Sequence, residues 1–417
     1  MGSVSQMWRQ EVGKTSSCKI YHHATYLVDI PRSAPGSSRK LVAGAVGEET
    51  DEGHEGDRES CVRLMGDPVM NTVLITGSSG LVGSAASEYF LERKWKVVGV
   101  DNDSRADFFG RSGSTYNNQP INRNYKHCYI DIRDAEKMNH LWTWCQPDAV
   151  VHCAAQPAHE YSKIHPLEDF EINAYATVKL LELCRNYIPE APFVFLSSSK
   201  VYGLNVDGHD YNTIDETIPI DQAWHSPYGA SKAAADMMVQ EYGYEYGMKT
   251  VCLRPNCMTG VAHAGVESHG FLNYLVKCAV NGEKYKVFGF GGQQVRDNIH
   301  SVDVASAIWE CVMDPEPAGV YNIGGGPSNA TSIIDLIDRM HVRFGFPMTV
   351  EILEQERGAD HFIYVTDNSK FQARYPGWKI TQSLDQMIQE IVDGQSTSKI
   401  SEAVYGYGST VETTTKL

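Results

Sequence analysis

The chain has 417 residues, enough for roughly two to three ordinary domains, and 42% of them are hydrophobic, which excludes wholesale disorder. Its formal net charge of −16 excludes general binding to nucleic acid or to anionic membranes. No apolar run approaches the roughly 20 residues that a membrane span needs. The 10 cysteines are scattered without a Cys-x-x-Cys pair, which predicts buried, reduced thiols in a cytoplasmic protein.

The two ends of the chain differ in composition from its centre. Residues 1–69 begin Ser-rich and mildly basic and then turn acidic in the run EETDEGHEGDRE, which predicts a disordered N-terminal extension. Residues 395–417 are polar and predict a flexible tail.

Between these ends, short β-branched runs alternate with segments of helix length. The predicted strands lie at 72–76, 96–101, 126–130, 148–153, 192–197 and 249–254, and the predicted helices at 81–93, 134–145, 171–187 and 229–247. The alternation predicts βαβ units and hence an α/β fold, with a Rossmann-type doubly wound parallel sheet in a domain at 70–256. It breaks near residue 257, which predicts a smaller, mixed α/β substrate lobe at 257–394, with some of its segments returning to the first domain.

The first predicted strand leads into a glycine-rich turn and then a helix. Gly77 permits the tight turn, Gly80 lets the backbone approach a pyrophosphate, and Gly83 permits close packing of helix on strand. Asp101, at the end of the second strand, is placed to accept both ribose hydroxyls of NAD and to repel the 2′-phosphate of NADP, although Arg105 nearby keeps NADP as an alternative. The predicted cofactor contacts here are Gly77, Gly80, Leu81, Val82, Gly83, Asp101 and Asn102.

A tyrosine and a lysine lie four residues apart at the head of a predicted helix. This spacing puts Tyr228 and Lys232 on one face. A phenol is a poor base at neutral pH, but a neighbouring ammonium and a positively charged nicotinamide stabilise its phenolate. Ser198, directly after the strand PFVFLS, can hydrogen-bond the same substrate hydroxyl and hold it while a proton and a hydride are removed.

The stretches TGSSGLVG, AAQ, SSSKVYG and YGASK, in this order, resemble the extended short-chain dehydrogenase/reductase family over about residues 71–393. The resemblance implies that Ser198, Tyr228 and Lys232 are catalytic. It also implies cofactor contacts at Asp131, Ile132, Ala154, Ala155, Gln156 and Asn173, together with Tyr228 and Lys232.

Longer stretches, such as VVHCAAQPAHE and VFGFGGQQVRDNIHSVDV, are similar to the subfamily that holds NAD tightly and inverts carbon 2 of CDP-hexoses. This similarity implies a nucleotide-diphosphate sugar as substrate, a homodimer formed through the helices near 171–187 and 229–247, and Arg296 and Arg357 at the diphosphate, where a planar guanidinium suits phosphate. Gln156 and His159 follow the fourth strand, where ligands bind in such sheets, and are predicted to contact the sugar. No metal site is predicted.

Several other activities stay open. A UDP-hexose 4-epimerase shares every catalytic residue, and an NAD(P)-dependent sugar reductase or dehydrogenase would release its cofactor. A 4,6-dehydratase is disfavoured because Ser198 is followed by Ser199 and Lys200, where that reaction usually needs Asp-Glu. A non-catalytic NAD sensor is disfavoured because Tyr228 and Lys232 are both present. The base, the sugar and the inverted carbon stay open at this stage.

Overall fold

The computed structural model describes residues 70–206, 213–354 and 358–405, all within one compact unit that spans Gly66–Leu417. The predicted disordered extension at 1–69, the predicted diphosphate ligand Arg357 and the end of the predicted tail at 406–417 lie outside the described residues.

Strands and helices alternate through the first half of the described chain. The strands are β1 (Thr72–Thr76), β2 (Lys96–Val100), β3 (Tyr125–Cys128), β4 (Ala149–His152), β5 (Phe193–Leu196), β6 (Thr250–Pro255), β7 (Cys257–Thr259), β8 (Tyr285–Phe288), β9 (Val295–His300), β10 (Gly319–Ile323), β11 (Ala330–Ser332), β12 (Val350–Leu353) and β13 (Ile363–Tyr364). The α-helices are α1 (Leu81–Glu92), α2 (Arg105–Phe109), α3 (Ala135–Cys145), α4 (His159–Ile164), α5 (Pro166–Phe170), α6 (Ala176–Tyr187), α7 (Ser226–Tyr246), α8 (Phe271–Asn281), α9 (Ser301–Met313), α10 (Ile333–Val342), α11 (Ser369–Arg374) and α12 (Leu384–Tyr405).

The central sheet has seven parallel strands in the order β3-β2-β1-β4-β5-β6-β10. The strand order reverses between β1 and β4, as in doubly wound sheets, so the predicted α/β Rossmann-type fold is confirmed. The inner strands are buried on both faces, and the runs TVLIT and AVVH accordingly contain no Asp, Glu, Lys or Arg. The edge strand β3 is half-exposed and reads YKHC.

Alternate residues of each inner strand enter different cores. Val73 and Ile75 pack with α1 and α9 on one face of the sheet, whereas Leu74 packs with α3, α6 and α7 on the other face. All three side chains are fully buried. Helices therefore cover both faces, and the carboxyl ends of the strands are the part of the sheet left for a ligand.

The later residues form smaller sheets beside this one. Strand β9 pairs with β7, β11 and β13, and β8 pairs with β12. Helices α8, α10 and α12 share a third apolar core. Strand β10 comes from the later part of the chain but pairs with β6 in the central sheet. The division into a domain at 70–256 and a lobe at 257–394 stays a prediction.

Some element boundaries differ from the predicted ones. The helix predicted at 171–187 begins with the π-helical turn Glu171–Tyr175 before α6, and the strand predicted at 126–130 ends at Cys128. The predicted flexible tail begins at 395, yet α12 continues to Tyr405, because polar residues with ordinary helix propensity extend a helix that its apolar first half anchors. Among the described helices, none has both the length and the apolar composition required to cross a membrane.

Candidate active site

A cleft of about 400 Å³ runs along the carboxyl ends of β1, β2, β4, β5 and β6 and continues to β8 and β9. This is the position and the size typical of ligand sites in open α/β sheets. The predicted site residues that line it are Gly77, Gly80, Leu81, Val82, Gly83, Asp101, Asn102, Asp131, Ile132, Ala154, Ala155, His159, Ser198, Tyr228, Lys232 and Arg296.

The turn after β1 has no room for a side chain at Gly77 or at Gly83. Gly77 has a φ of +69°, and a Cβ there would lie 2.6 Å from the backbone nitrogen of Ala154. A Cβ on Gly83 would collide with the carbonyl oxygen of Gly77. Helix α1 begins directly after Gly80 without a side-chain cap, so its first N–H groups face the cleft. The turn therefore fits the pyrophosphate of a dinucleotide.

Asp101 is held beside this turn by two backbone hydrogen bonds. Its Oδ2 accepts from Ser79 N at 3.0 Å, and its Oδ1 accepts from Asp103 N at 2.8 Å. Burial raises the pKa of Asp101, and the two bonds partly offset that effect. Each oxygen keeps a lone pair for a ribose hydroxyl, so the carboxylate fits the role predicted for it.

A segment that the sequence did not single out closes this end of the cleft. We call residues 103–118 the strap. The Asn118 side-chain nitrogen donates to the carbonyl oxygen of Ser79 in the glycine turn at 3.1 Å and to that of Ala262 at 2.9 Å. The strap thus joins the glycine turn to a segment beyond β7 that lines the opposite side of the cleft.

Arg105 gives the strap a second attachment. Its guanidinium donates to the carbonyl oxygens of Gly113 within the strap, at 3.2 Å, and of Ala264 across the cleft, at 3.0 Å. Burial lowers the pKa of Arg105 to about 10, which leaves the group charged at neutral pH. These bonds make Arg105 a structural link between the strap and the segment beyond β7.

The predicted cofactor contact Asp131 is fixed by an arginine. Arg133 donates to both oxygens of its carboxylate, the closest approach being 2.7 Å, and Asn102 donates to it at 3.3 Å. Burial acts to raise the pKa of Asp131, but the hydrogen bonds and charge of Arg133 lower it overall. The carboxylate is therefore an ionised acceptor at the rim of the cleft.

The three predicted catalytic residues meet in the middle of the cleft. Ser198 follows β5, and Tyr228 and Lys232 lie on the first turns of α7, which begins at Ser226-Pro227. The Lys232 ammonium donates to the carbonyl oxygen of Leu196 at 2.7 Å and is 2% exposed. Helix α7 thus presents the tyrosine and the lysine side by side, next to the serine.

Burial acts on both titratable members of this trio. It raises the pKa of Tyr228 to about 12, with the Ser198 hydrogen bond acting against it, and it lowers the pKa of Lys232 to about 8. An unaided Tyr228 is therefore protonated at neutral pH, and an additional positive charge nearby is needed to form the phenolate.

Two predicted contacts lie behind the wall of the cleft. Gln156 is fully buried, and its side chain donates to Asp169 at 2.7 Å. The Asn173 side chain bonds the backbone N–H and carbonyl of Gln156 and also donates to Ser231, which precedes Lys232. The prediction that Gln156 contacts the sugar is corrected accordingly. The buried carboxylate of Asp169 needs hydrogen-bond donors, and the side-chain amides of Gln156 and Asn173 provide them.

His159 does face the cleft. Its ring centroid lies 4.7 Å from that of Tyr228, and its Nδ1 lies 3.5 Å from the Ser226 hydroxyl oxygen. The predicted substrate contact His159 therefore lies directly beside the Tyr228 phenol.

Arg296 lines the cleft but is largely committed to other groups. One terminal nitrogen donates to the carbonyl oxygens of Val295 and Phe362, and the other donates to Asp360 at 2.8 Å and to the carbonyl of His361. Sequence reasoning did not single out Asp360, or Lys200, which lies 2.9 Å from it. The position of Lys200, two residues after Ser198, was the feature of the sequence that could have placed it at the site.

Within the described residues, no cluster of three or more His, Cys, Asp or Glu side chains could hold a metal ion. The described cysteines are all free thiols.

The chain resembles known proteins in sequence and in fold. The sequence model of the NAD dependent epimerase/dehydratase family matches residues 73–324. CDP-paratose 2-epimerase of Salmonella typhi is 29% identical over 346 residues, which cover 78% of this chain and 99% of that protein. dTDP-glucose 4,6-dehydratase of Shigella flexneri is 27% identical, over 77% and 91% of the two chains. The crystal structure of the UDP-glucose 4-epimerase of Thermus thermophilus in complex with NAD superposes with a TM-score of 0.68 at 27% identity, covering 78% and 99%.

Proposed function

The chain belongs to the NAD-dependent epimerase/dehydratase family, and we propose that it epimerises a nucleotide-diphosphate sugar, inverting carbon 2 of a CDP-hexose through a transient keto-sugar. NAD is its cofactor. The observation that carries the proposal is that Ser198, Tyr228 and Lys232 share one cleft with the glycine turn and Asp101. Proton chemistry and dinucleotide binding are thus combined in one cavity.

The residues of the trio have separate tasks. Tyr228, as phenolate, removes the proton from the reacting hydroxyl, Ser198 orients that hydroxyl, and the ammonium of Lys232 stabilises the phenolate. NAD, when bound, would accept a hydride from the carbon that bears this hydroxyl and would later return it to that carbon. Tyr228 gives the proton back to the sugar oxygen in the second half of the reaction. Inversion requires the keto-sugar to present its other face, while its diphosphate stays anchored.

The residues after Ser198 support epimerisation over dehydration. Dehydration requires a further acid and base beside the sugar, usually an Asp-Glu pair, whereas the two residues after Ser198 are Ser199 and Lys200. The likeness to the Salmonella CDP-paratose 2-epimerase supports a CDP-hexose, and it extends over 99% of that protein. The likeness to the Thermus UDP-glucose 4-epimerase makes a UDP-hexose 4-epimerase the second candidate.

The deciding experiment uses the purified protein without added cofactor. It is incubated with CDP-, UDP- and GDP-hexoses, and the sugars are followed by proton NMR. A CDP-hexose inverted at carbon 2 is the expected product. A UDP-hexose inverted at carbon 4 would establish the second candidate, and turnover only after addition of NAD(P)(H) would indicate a dehydrogenase or reductase. Tyr228→Phe should abolish turnover while leaving NAD bound, and unchanged activity in that variant would refute the role of Tyr228.

Assembly and location form a further part of this proposal. Apolar side chains on the outer faces of α6 and α7 are exposed, including Tyr187, Met237 and Tyr244, which supports a homodimer packed through these helices. Met237→Glu should then yield monomers in light scattering, whereas an unchanged mass would place the interface elsewhere. The free thiols support action in the reducing cytoplasm.

A further inference from the structure

Lys200 brings an ammonium into the cleft beside the catalytic serine. It lies on the 3₁₀ segment Ser199–Val206, and its side chain, 16% exposed, reaches across to the loop before β13. There the ammonium donates to Asp360 Oδ1 at 2.9 Å and to the carbonyl oxygen of Ala359 at 3.4 Å. A lysine is rarely this buried without a partner or a ligand.

The Asp360 carboxylate is shared by two cations. Arg296 donates to the same Oδ1 at 2.8 Å, and the Arg296 side chain is 10% exposed. Asp360, Lys200 and Arg296 together carry one net positive charge, although the chain as a whole carries −16. Both donors already converge on a single anionic oxygen, so their spacing suits an oxyanion ligand.

Arg296 by itself offers little to a diphosphate. A guanidinium has five N–H groups, and bonds to backbone carbonyls and to Asp360 use four of those of Arg296 within the described part of the chain. The Lys200 ammonium has three N–H groups, of which described residues accept two. Lys200 is therefore a second cation that can bind a diphosphate here, because Arg296 alone cannot form a bidentate contact with it.

We propose that Lys200, positioned by Asp360, binds the β-phosphate of the nucleotide sugar and anchors it beside Ser198. The inference rests on the proposed function, because it requires a nucleotide-diphosphate substrate. Lys200 stands two residues from Ser198, at the sugar end of the ligand, and the β-phosphate is the phosphate bonded to the sugar. Anchoring that phosphate holds the substrate while the keto-sugar turns.

The experiment compares nucleoside diphosphates with monophosphates, because only the diphosphates carry a β-phosphate. Binding of CDP, CMP, UDP and UMP to the NAD-loaded protein is measured by calorimetry for the wild type, Lys200→Gln, Lys200→Arg and Lys284→Gln. Lys284 is an exposed lysine outside the cleft, so its variant makes the same charge change without touching the site. Melting temperature and NAD content check that each variant is folded.

Lys200→Gln should weaken diphosphate binding by about ten- to a hundredfold and leave monophosphate binding within about threefold. Lys200→Arg should keep most of the affinity, and Lys284→Gln should keep all of it. Wild-type affinity for CDP and UDP in Lys200→Gln would overturn the inference and leave the epimerase proposal standing. Failure of the wild type to bind any of the four nucleotides would overturn both.

A second measurement needs no variant. In the wild type, the diphosphate that binds should protect Lys200 from acetylation, scored by mass spectrometry, and the corresponding monophosphate should not. Equal labelling of Lys200 with either nucleotide would contradict the assignment.

Discussion

The backbone N–H of Lys200 donates a hydrogen bond to the hydroxyl oxygen of Ser198 over 3.2 Å. Because that oxygen already accepts a bond, the proton of the Ser198 hydroxyl is available to Tyr228, whose pKa the Ser198 bond acts to lower. The direction of donation, from backbone to serine to phenol, favours the phenolate.

This arrangement predicts the result of changing the serine. Ser198→Ala removes the donor to Tyr228 and should lower kcat by about a hundredfold, whereas Ser198→Thr keeps a hydroxyl and should stay within about tenfold. Steady-state kinetics with the best sugar nucleotide, at matched NAD content, measures both. Equal rates for the alanine variant and the wild type would mean that the oriented hydroxyl contributes nothing.

Lys232 predicts a dependence of stability on pH. Its folded-state pKa of about 8 lies below the ordinary 10.5, so the folded state binds the proton less tightly than the unfolded chain does. Below pH 8 the folded state carries the full cost of burying the charged ammonium. This cost falls as pH rises towards 10.5, where the free energy of unfolding is about 3 kcal/mol higher than below pH 8.

Lys232→Met removes this titration and also turnover. The free energy of unfolding of both NAD-free proteins is measured in urea. Between pH 7 and 9.5, we expect it to rise by about 2 kcal/mol more in the wild type than in the variant. The half-exposed Lys249→Met is the matched control and should show no such gain. A difference between Lys232→Met and wild type that does not change with pH would refute the buried-charge explanation.

We expect Asp101 to determine the preference for NAD over NADP. Asp101→Asn keeps the size of the side chain but removes the charge, and its single oxygen can no longer accept from both Ser79 and Asp103. The ratio of NADP to NAD affinity, measured on stripped protein, should rise by about tenfold or more. Asp107→Asn, an exposed change on α2, should leave the ratio as it is. A ratio that stays constant in Asp101→Asn would assign the discrimination to other residues.

Asn118 predicts retention of the cofactor. Asn118→Ala breaks both bonds between the strap and the walls of the cleft, to Ser79 and to Ala262. NAD should then dissociate about tenfold faster or more, because two hydrogen bonds no longer hold the strap closed. The measurement is NAD content after repeated gel filtration, with the exposed neighbour Asn117→Ala as control. Full retention of NAD in Asn118→Ala would mean that the strap does not gate release.

The parts of the site that were predictable are local in the chain. Gly77, Gly83 and Asp101 act within a single βαβ unit, and each has a steric or electrostatic requirement that few residue types meet. The spacing of Tyr228 and Lys232 likewise depends only on the pitch of one helix. Periodicity also predicted the alternation of strands and helices that produces the central sheet.

The parts that were missed depend on contacts between distant segments. Lys200 meets Asp360 only because the 3₁₀ segment after β5 and the loop before β13 face each other across the cleft. Asn118 acts through Ala262 in the same way. Gln156 was placed at the correct strand end, but its side chain turns inward to a buried carboxylate on α5, which no pattern near it in the sequence indicates.

The strap also bears on when the cofactor can enter. With Asn118 and Arg105 bonded across the cleft, a dinucleotide can enter or leave only when these bonds open, so we expect cofactor exchange to be slower than turnover. A cofactor enclosed in this way does not equilibrate with the free NAD pool during turnover. The rate of such an enzyme would then be insensitive to the ratio of oxidised to reduced NAD around it.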